Sequence, residues 1–168
     1  MKIPEHIRSR LGDSPAFLLV TSKQEAALYA INGEDLAELG SFVVERPADT
    51  DKEGEFKSRS RGGSASGTAY ERTDDAQIRD FTSLMEVMAR SKLYGASGRL
   101  YAFAPAAVKS HLMKALGGSA RSLEVIFTEG NYMHSSPVDL LDKIAREFES
   151  KRVVPTDPAA QRILDIPI

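Results

Sequence analysis

The chain has 168 residues, a length that suits one domain with a core large enough to need no disulfide or metal. Hydrophobic residues make up 42% and charged residues 27%, which excludes disordered and fibrous classes. The formal net charge of -2 excludes a whole-surface attraction to nucleic acid or to anionic membranes. Any phosphate binding must therefore come from a local patch.

The sequence contains no cysteine, so disulfides, thiolate catalysis and zinc–thiolate sites are excluded. Residues 1–15 have mixed charge and no apolar segment, which is unlike a signal peptide. The longest apolar run, residues 16–20, is far too short to cross a bilayer. We therefore expect a cytoplasmic protein with no membrane partner, in keeping with the reducing compartment that the lack of cysteine favours.

The first half of the chain predicts a short helix and then an antiparallel meander. Residues 4–11 have apolar side chains four apart and precede Gly12, a common helix end. Three strands joined by short turns follow, at residues 16–21, 26–31 and 36–44. The first, AFLLVT, is apolar throughout, which predicts a central strand buried on both faces. The dipeptide Asn32-Gly33 suits a tight hairpin turn between the second and third strands.

The second half predicts an alternation of helices and strands. Apolar residues at helical spacing occur at Ile78, Phe81, Leu84, Met85 and Met88. They predict a helix over residues 75–90, capped by Thr73 or Asp74. Strands are predicted at residues 99–104 and 123–127, and helices at residues 105–116 and from Ser136-Pro137 onwards.

This order of elements predicts an α/β protein of ribonuclease H-like type. Its mixed five-stranded sheet would combine an antiparallel meander with a strand-helix-strand unit, and helices would cover its faces. We expect residues 1–14 to be an N-terminal extension and residues 15–150 to be the domain, with a long loop at residues 45–74. Residues 151–168 form a C-terminal tail with three prolines and a short apolar patch. We expect the tail to pack as an extended arm or to hold a homo-oligomer together.

The sequence does not predict a catalytic, metal or cofactor site. The three histidines, His6, His111 and His134, lack the spacing of metal ligands. A ribonuclease H-type nuclease needs carboxylates on its strands to hold two metal ions, and the first strand contains none. The sequence Gly62-Gly63 is not followed by the lysine and hydroxyl residue of a nucleotide-binding loop. We therefore expect no resident metal, no cofactor and no catalytic residue.

The long loop carries the predicted nucleic-acid contact site. Its apex combines cations with small residues at Lys57, Arg59, Arg61, Gly62, Gly63 and Ser64. Guanidinium groups on a glycine-containing tip can contact phosphates and follow an irregular RNA surface. The alternative interpretation is a solvated, disordered loop, because four acids on the approach, at positions 49, 51, 53 and 55, balance its charge.

The residues around this loop resemble a known family. The segment ALYAINGEDLAELGSFVVERP, followed by Arg61-Gly62-Gly63-Ser64-Ala65 and a helix, is similar to the central domain of archaeal and eukaryotic peptide-chain release factors and their ribosome-rescue relatives. In release factors this loop carries Gly-Gly-Gln, and the glutamine helps to position water against the peptidyl-tRNA ester. Ser64 stands where that glutamine would be, and its side chain is too short to replace it.

Two later segments, RLYAFAPAAVKSHLMKAL and LEVIFTEGNYMHSSPVDLL, resemble bacterial relatives of that domain, the family called "protein required for attachment to host cells". The likeness spans about residues 15–148. It implies a non-catalytic or weakly catalytic domain that binds the ribosome or structured RNA through the loop, in translation or ribosome rescue. Two alternatives stay open: a peptidyl-tRNA ester hydrolase that uses the same loop, and a protein-interaction module linked to host attachment.

Overall fold

A computed structural model of the chain describes residues 1–12, 14–44 and 68–151, and within the last range it describes the side chains of residues 75–148. The elements in this part of the chain follow in the order α1 (Glu5–Leu11), β1 (Ala16–Thr21), β2 (Glu25–Asn32), β3 (Asp35–Val43), α2 (Thr68–Leu93), β4 (Gly98–Ala104), α3 (Ala106–Leu116), β5 (Leu123–Glu129) and α4 (Pro137–Lys151).

The strands form one mixed sheet in the spatial order β3-β2-β1-β4-β5. Antiparallel pairing joins β1 to β2 and β2 to β3, whereas β4 pairs in parallel with both β1 and β5. This confirms the predicted α/β fold, with a meander followed by a strand-helix-strand unit, and the central place of β1. The strand order fits a ribonuclease H-like fold.

The apolar sequence of β1 is explained by helices that cover both faces of the sheet. On one face, α2 and α3 bury a cluster that includes Phe81 and Leu19. On the other face, α1 and α4 bury a second cluster that includes Ile7 and Leu18. Leu18 and Leu19 are neighbours in β1 and point to opposite faces, as the period of two in a strand requires. Because Ile7 belongs to the second cluster, the predicted N-terminal extension is part of the core.

The hairpin turn lies one residue later than predicted. Asn32 is the last residue of β2 and pairs with Asp35 of β3, so the two turn residues are Gly33 and Glu34. Gly33 has a φ of 59°, which a glycine adopts without strain. No other described residue of this hairpin has a positive φ, which matches a turn with glycine at its first central position.

Helix α2 is longer than predicted. It begins at Thr68, so Thr73 and Asp74 lie inside the helix and are not its cap, and the predicted loop ends before residue 68. The prediction rested on apolar periodicity, which starts only at Ile78, where the helix begins to pack on the sheet. The first turns contain neither glycine nor proline, so the helix continues towards its N-terminus beyond its packed face.

The buried stripe of α2 is also narrower than predicted. Phe81 and Met85 are fully buried and Met88 is nearly so, but Leu84 is 41% exposed. Leu84 lies on the flank of the helix together with Val87, which is 63% exposed. The sequence spacing alone did not separate the flank from the buried face, because a wide apolar stripe satisfies the same period.

Gly98 allows the chain before β1 to lie against the start of β4. Its φ is 113°, and a Cβ at this position would lie 1.9 Å from the carbonyl oxygen of Pro15. That oxygen accepts a hydrogen bond of 3.1 Å from the backbone N–H of Arg99. A side chain at position 98 would therefore strain the backbone and separate β4 from the segment that leads into β1.

We expect Gly98→Ala to lower the free energy of unfolding by about 3 kcal/mol, through strain at a positive φ and the backbone clash. The matched control is Gly118→Ala, because a Cβ there would meet no atom within 4 Å. The control should change stability by less than about 0.5 kcal/mol. Urea denaturation followed by circular dichroism measures both, and equal stability of the two variants would contradict the expectation.

Candidate nucleic-acid-binding surface

The six predicted contact residues all lie outside the described part of the chain: Lys57, Arg59, Arg61, Gly62, Gly63 and Ser64. The predicted C-terminal tail, residues 151–168, lies outside it as well, except for Lys151, which is the last residue of α4. The elements that flank the loop are described. They are β3, which ends at Val43, and α2, which begins at Thr68.

Both flanking ends lie on the side of the sheet at which several strands end, which is not the side formed by an outermost strand. Strands β3 and β1 are each antiparallel to β2, so β3 ends at the edge where β1 and β4 also end, which we call the carboxyl edge. We call the opposite edge, where β1, β4 and β5 begin, the amino edge. Helix α2 leads from the carboxyl edge to the start of β4 at the amino edge.

Hydrogen bonds hold the end of β3 and the side of α2 to the β1–β2 turn. The backbone N–H of Val44 donates to the Gln24 carbonyl over 2.7 Å, and the Gln24 side chain donates to the Gln77 side chain over 3.3 Å. The Ser22 hydroxyl accepts from the backbone N–H groups of Gln24 and Glu25. Because Gln77 lies level with this turn, the part of α2 before it extends past the carboxyl edge.

A cavity of about 490 Å³ lies on the helical layer near this edge, lined by Asp75, Ile78, Arg79 and His111. It brings a guanidinium and an imidazole together with a carboxylate. The mixed charge of this lining gives no clear preference for an anion. The cavity therefore does not carry a binding site by itself.

A stronger charge signal lies farther along the chain. Residues 87–123 contain no aspartate or glutamate, although the whole chain has a net charge of -2. The six lysines and arginines in this stretch are Arg90, Lys92, Arg99, Lys109, Lys114 and Arg121. In the fold, the stretch forms the end of α2, all of β4 and α3, and the connection to β5. The end of α2 and all of α3 cover the same face of the sheet, so the cations of these two helices belong to one helical layer.

Some of these cations are used within the fold. Arg90 pairs with Glu86 over 3.0 Å, and Arg99 pairs with Glu124 over 3.1 Å. The Lys109 ammonium lies 4.6 Å from the centre of the Phe127 ring, a cation–π contact. Three others are exposed and form no ion pair with any described side chain: Lys92, Lys114 and Arg121.

The topology brings these three exposed cations to the same edge. Lys92 lies in the last turn of α2 and Lys114 in the last turn of α3, while Arg121 lies between α3 and β5. The first residues of β4 and β5, Gly98 and Leu123, are register partners. Because the two helices lead directly to these neighbouring strand starts, their C-terminal ends meet at the amino edge.

An aromatic ring accompanies the cations. Tyr94 directly follows α2 and is 81% exposed. We call Lys92, Tyr94, Lys114 and Arg121 the basic surface. Cations at the last turn of a helix also stabilise the helix dipole, which by itself explains Lys92 and Lys114 but neither Arg121 nor the exposed ring. Cations beside an exposed aromatic ring are the arrangement that contacts phosphates and stacks an unpaired base.

Arg99 also lies at the amino edge, but its guanidinium makes contacts within the fold and is not part of the basic surface. Its guanidinium is 5.7 Å from the centre of the Phe148 ring and is paired with Glu124. The neighbouring Tyr101 hydroxyl is the largest influence raising the pKa of Arg99, followed by Glu124. Burial raises the pKa of Tyr101, and Arg99 opposes that shift. The Tyr101 hydroxyl lies beside Arg99 but makes no hydrogen bond of good geometry.

The sequence-based prediction missed the basic surface. The signal in the sequence is the long stretch without acids between Glu86 and Glu124. Among the side chains that the structure describes, no group of three or more His, Asp or Glu residues is placed to hold a metal ion. Within the same residues, no helix has the length and apolar character needed to cross a membrane.

No protein-family model matches the chain, and no curated protein matches its sequence.

Proposed function

We propose that this protein binds structured RNA, such as the RNA of the ribosome, through its basic surface and through the predicted loop. The observation that carries the proposal is the stretch of residues 87–123, which has no acid and six cations, three of them exposed and without an ion pair to any described side chain, in a chain whose net charge is -2. Such a local concentration is what a weakly acidic protein needs in order to bind phosphates.

The parts of the basic surface have complementary roles in this proposal. Lys114 and Arg121 contact backbone phosphates, and Lys92 adds a third cation at the end of α2. The exposed Tyr94 ring offers a stacking surface to an unpaired base, an interaction that tolerates any sequence. Recognition of this kind depends on RNA shape and unpaired bases more than on a particular sequence.

The loop supplies the second contact in this proposal. It joins the sheet at the carboxyl edge, whereas the basic surface lies at the amino edge, so α2 separates the two. A helix of 26 residues is about 39 Å long. The proposed RNA therefore extends along the helical layer, past α3 with its exposed Lys109 and Lys114.

The resemblance to release-factor central domains supports a role in translation or ribosome rescue, which would take place in the cytoplasm. Ser64 in place of the glutamine supports a non-catalytic or weakly catalytic role, because a short hydroxyl side chain does not reach the position from which the longer amide orients water. The loop then acts as a contact that anchors the domain.

Replacing Arg59 and Arg61 together by alanine should reduce co-sedimentation with ribosomes about tenfold, because two charge-assisted phosphate contacts are lost. The control replaces Lys2 and Arg146 by alanine. These two exposed cations have acidic partners elsewhere on the protein. The control should sediment as the wild type does. Equal sedimentation of the loop variant and the wild type would remove the loop from the proposal.

A further inference from the structure

Strand β5 forms one edge of the sheet, and no described residue pairs with its outer side. The three residues at its centre, Val125, Ile126 and Phe127, are apolar and only half-buried. The outward backbone N–H and C=O groups of such a strand are free to pair with another strand. A regular, partly apolar edge of this kind is what proteins usually protect.

The other edge strand, β3, is protected in several ways. The N-terminal residues pair with its beginning, where the Leu36 N–H donates to the Met1 carbonyl over 2.8 Å and Lys2 bridges to Asp35. Its register with β2 shifts at Leu28 and Tyr29, which interrupts the regular ladder. Strand β5 has no such irregularity, since all seven of its residues pair in register with β4. Among the described residues, β5 therefore has the more regular and the less covered edge of the two.

We propose that β5 pairs antiparallel with β5 of a second copy of this chain, around a two-fold axis at Ile126. The two five-stranded sheets would then continue into each other. In this register Val125 faces Phe127 of the other copy, and Ile126 faces its own equivalent. A self-complementary strand is what a two-fold interface requires, because each residue meets the same partner on both sides.

This register pairs the whole length of β5 and places no two of its carboxylates opposite each other. Glu124 faces Thr128 of the other copy and Glu129 faces Leu123, so no two carboxylates are opposite each other. A register centred on Val125 would place Glu124 against Ile126, and one centred on Phe127 would place Glu129 against Val125. The Ile126-centred register pairs all seven residues of β5 and keeps its apolar centre together.

The pairing also places the α3 helices of both copies on the same side of the joined sheet. This follows because a two-fold axis perpendicular to a sheet keeps corresponding faces together. The basic surface would then be present twice on one side of the dimer. The dimer proposal does not depend on RNA binding, since it rests only on the β5 edge.

A single introduced cysteine tests the register directly, because the chain contains none. Residues opposite each other in an antiparallel pair have Cα atoms about 4.5–5.5 Å apart, within the range that a disulfide spans. Ile126→Cys should therefore cross-link into a dimer of twice 18.4 kDa on mild oxidation. Ser41→Cys, exposed on the protected edge strand β3, is the matched control and should remain monomeric.

Two charge variants at one position separate loss of pairing from loss of folding. Thr128→Glu places a carboxylate opposite Glu124 of the other copy at both symmetric positions and should raise the dimer dissociation constant about tenfold. Thr128→Lys places a cation there and should leave the constant unchanged or lower it. Analytical ultracentrifugation measures both constants, and circular dichroism confirms folding.

A folded wild-type chain that remains monomeric at high micromolar concentration would overturn the proposal. A dimer that responds equally to Thr128→Glu and Thr128→Lys, or that cross-links through Ser41→Cys instead, would overturn it too.

Discussion

Replacing Lys114 and Arg121 together by glutamine should weaken RNA binding about 25-fold at about 0.1 M salt. Both side chains are exposed and form no ion pair with a described residue, so they are available to phosphates. Each phosphate contact to an unpaired strand, such as the loop of an RNA hairpin, contributes about 0.7 to the slope of log affinity against log salt. At about 0.1 M salt, one decade below the reference of about 1 M at which the salt-dependent contribution is zero, two lost contacts therefore reduce the affinity by about 1.4 logarithmic units.

The control for this variant replaces Lys2 and Arg146 by glutamine. It changes the net charge by the same amount, but Lys2 pairs with Asp35 and Arg146 pairs with Asp142 on other parts of the surface. Both replaced cations are exposed, and His6 also lies 3.7 Å from the half-buried Asp142, so the control should fold normally. Its affinity should fall by less than about twofold, since only the general field of the protein changes. Fluorescence anisotropy with a labelled RNA hairpin measures the RNA affinity of the wild type, the variant and the control.

Phe81→Ala should lower the free energy of unfolding by about 3–5 kcal/mol, the second large effect that we expect. Phe81 is fully buried between α2 and the sheet, and its ring centre lies 5.6 Å from that of Phe42 on β3. The substitution leaves a cavity at the place where α2 packs over the end of the meander. The remaining ring would lose an aromatic contact as well.

Leu84→Ala is the matched control, one turn farther along the same helix. Leu84 is 41% exposed, so its truncation removes little buried surface and should change stability by less than about 1 kcal/mol. Urea denaturation followed by fluorescence or circular dichroism gives both values. Equal losses from the two variants would contradict the described orientation of α2.

The fold could be predicted from the sequence because its strongest signals are local. The apolar run of β1 predicted its central place, and the sequence from Ser136 predicted the start of α4. The Leu140 N–H now donates to the Ser136 carbonyl over 3.2 Å, as a first helical turn requires. The predicted start of α2 was wrong because the first turns of the helix extend past the sheet. Turns that pack against nothing need no apolar residues at helical spacing, so the sequence pattern did not show them. The prediction that Leu84 is buried was wrong, because the spacing of the apolar residues does not show how wide the buried face of the helix is.

The basic surface was less predictable, because it depends on topology. Lys92 and Arg121 are far apart in sequence and come to one edge only because β4 and β5 are neighbours. The pairing of Arg99 with Glu124 could not be read from sequence either, and it removes one cation from the surface. The sequence shows that no acid lies between Glu86 and Glu124. Only the structure shows that α3 lies beside the end of α2, which brings cations from both helices together.

The dimer and the basic surface can be tested independently. Thr128 lies near the last residue of β5, whereas Lys114 in α3 and Arg121 in the α3–β5 connection come before the first residue of β5. A monomeric Thr128→Glu protein should still bind RNA, but through one basic surface, whereas the dimer presents two. Loss of RNA binding through Lys114 and Arg121 should leave the dimer intact.

The salt dependence of RNA binding is the measurement that tests the central claim most directly. The affinity of the wild type should fall linearly with salt on logarithmic axes, and the slope for the variant with glutamine at positions 114 and 121 should be shallower by about 1.4. The control with glutamine at positions 2 and 146 should keep the wild-type slope. Equal slopes for all three proteins would contradict the account, because the basic surface would then contact no phosphate.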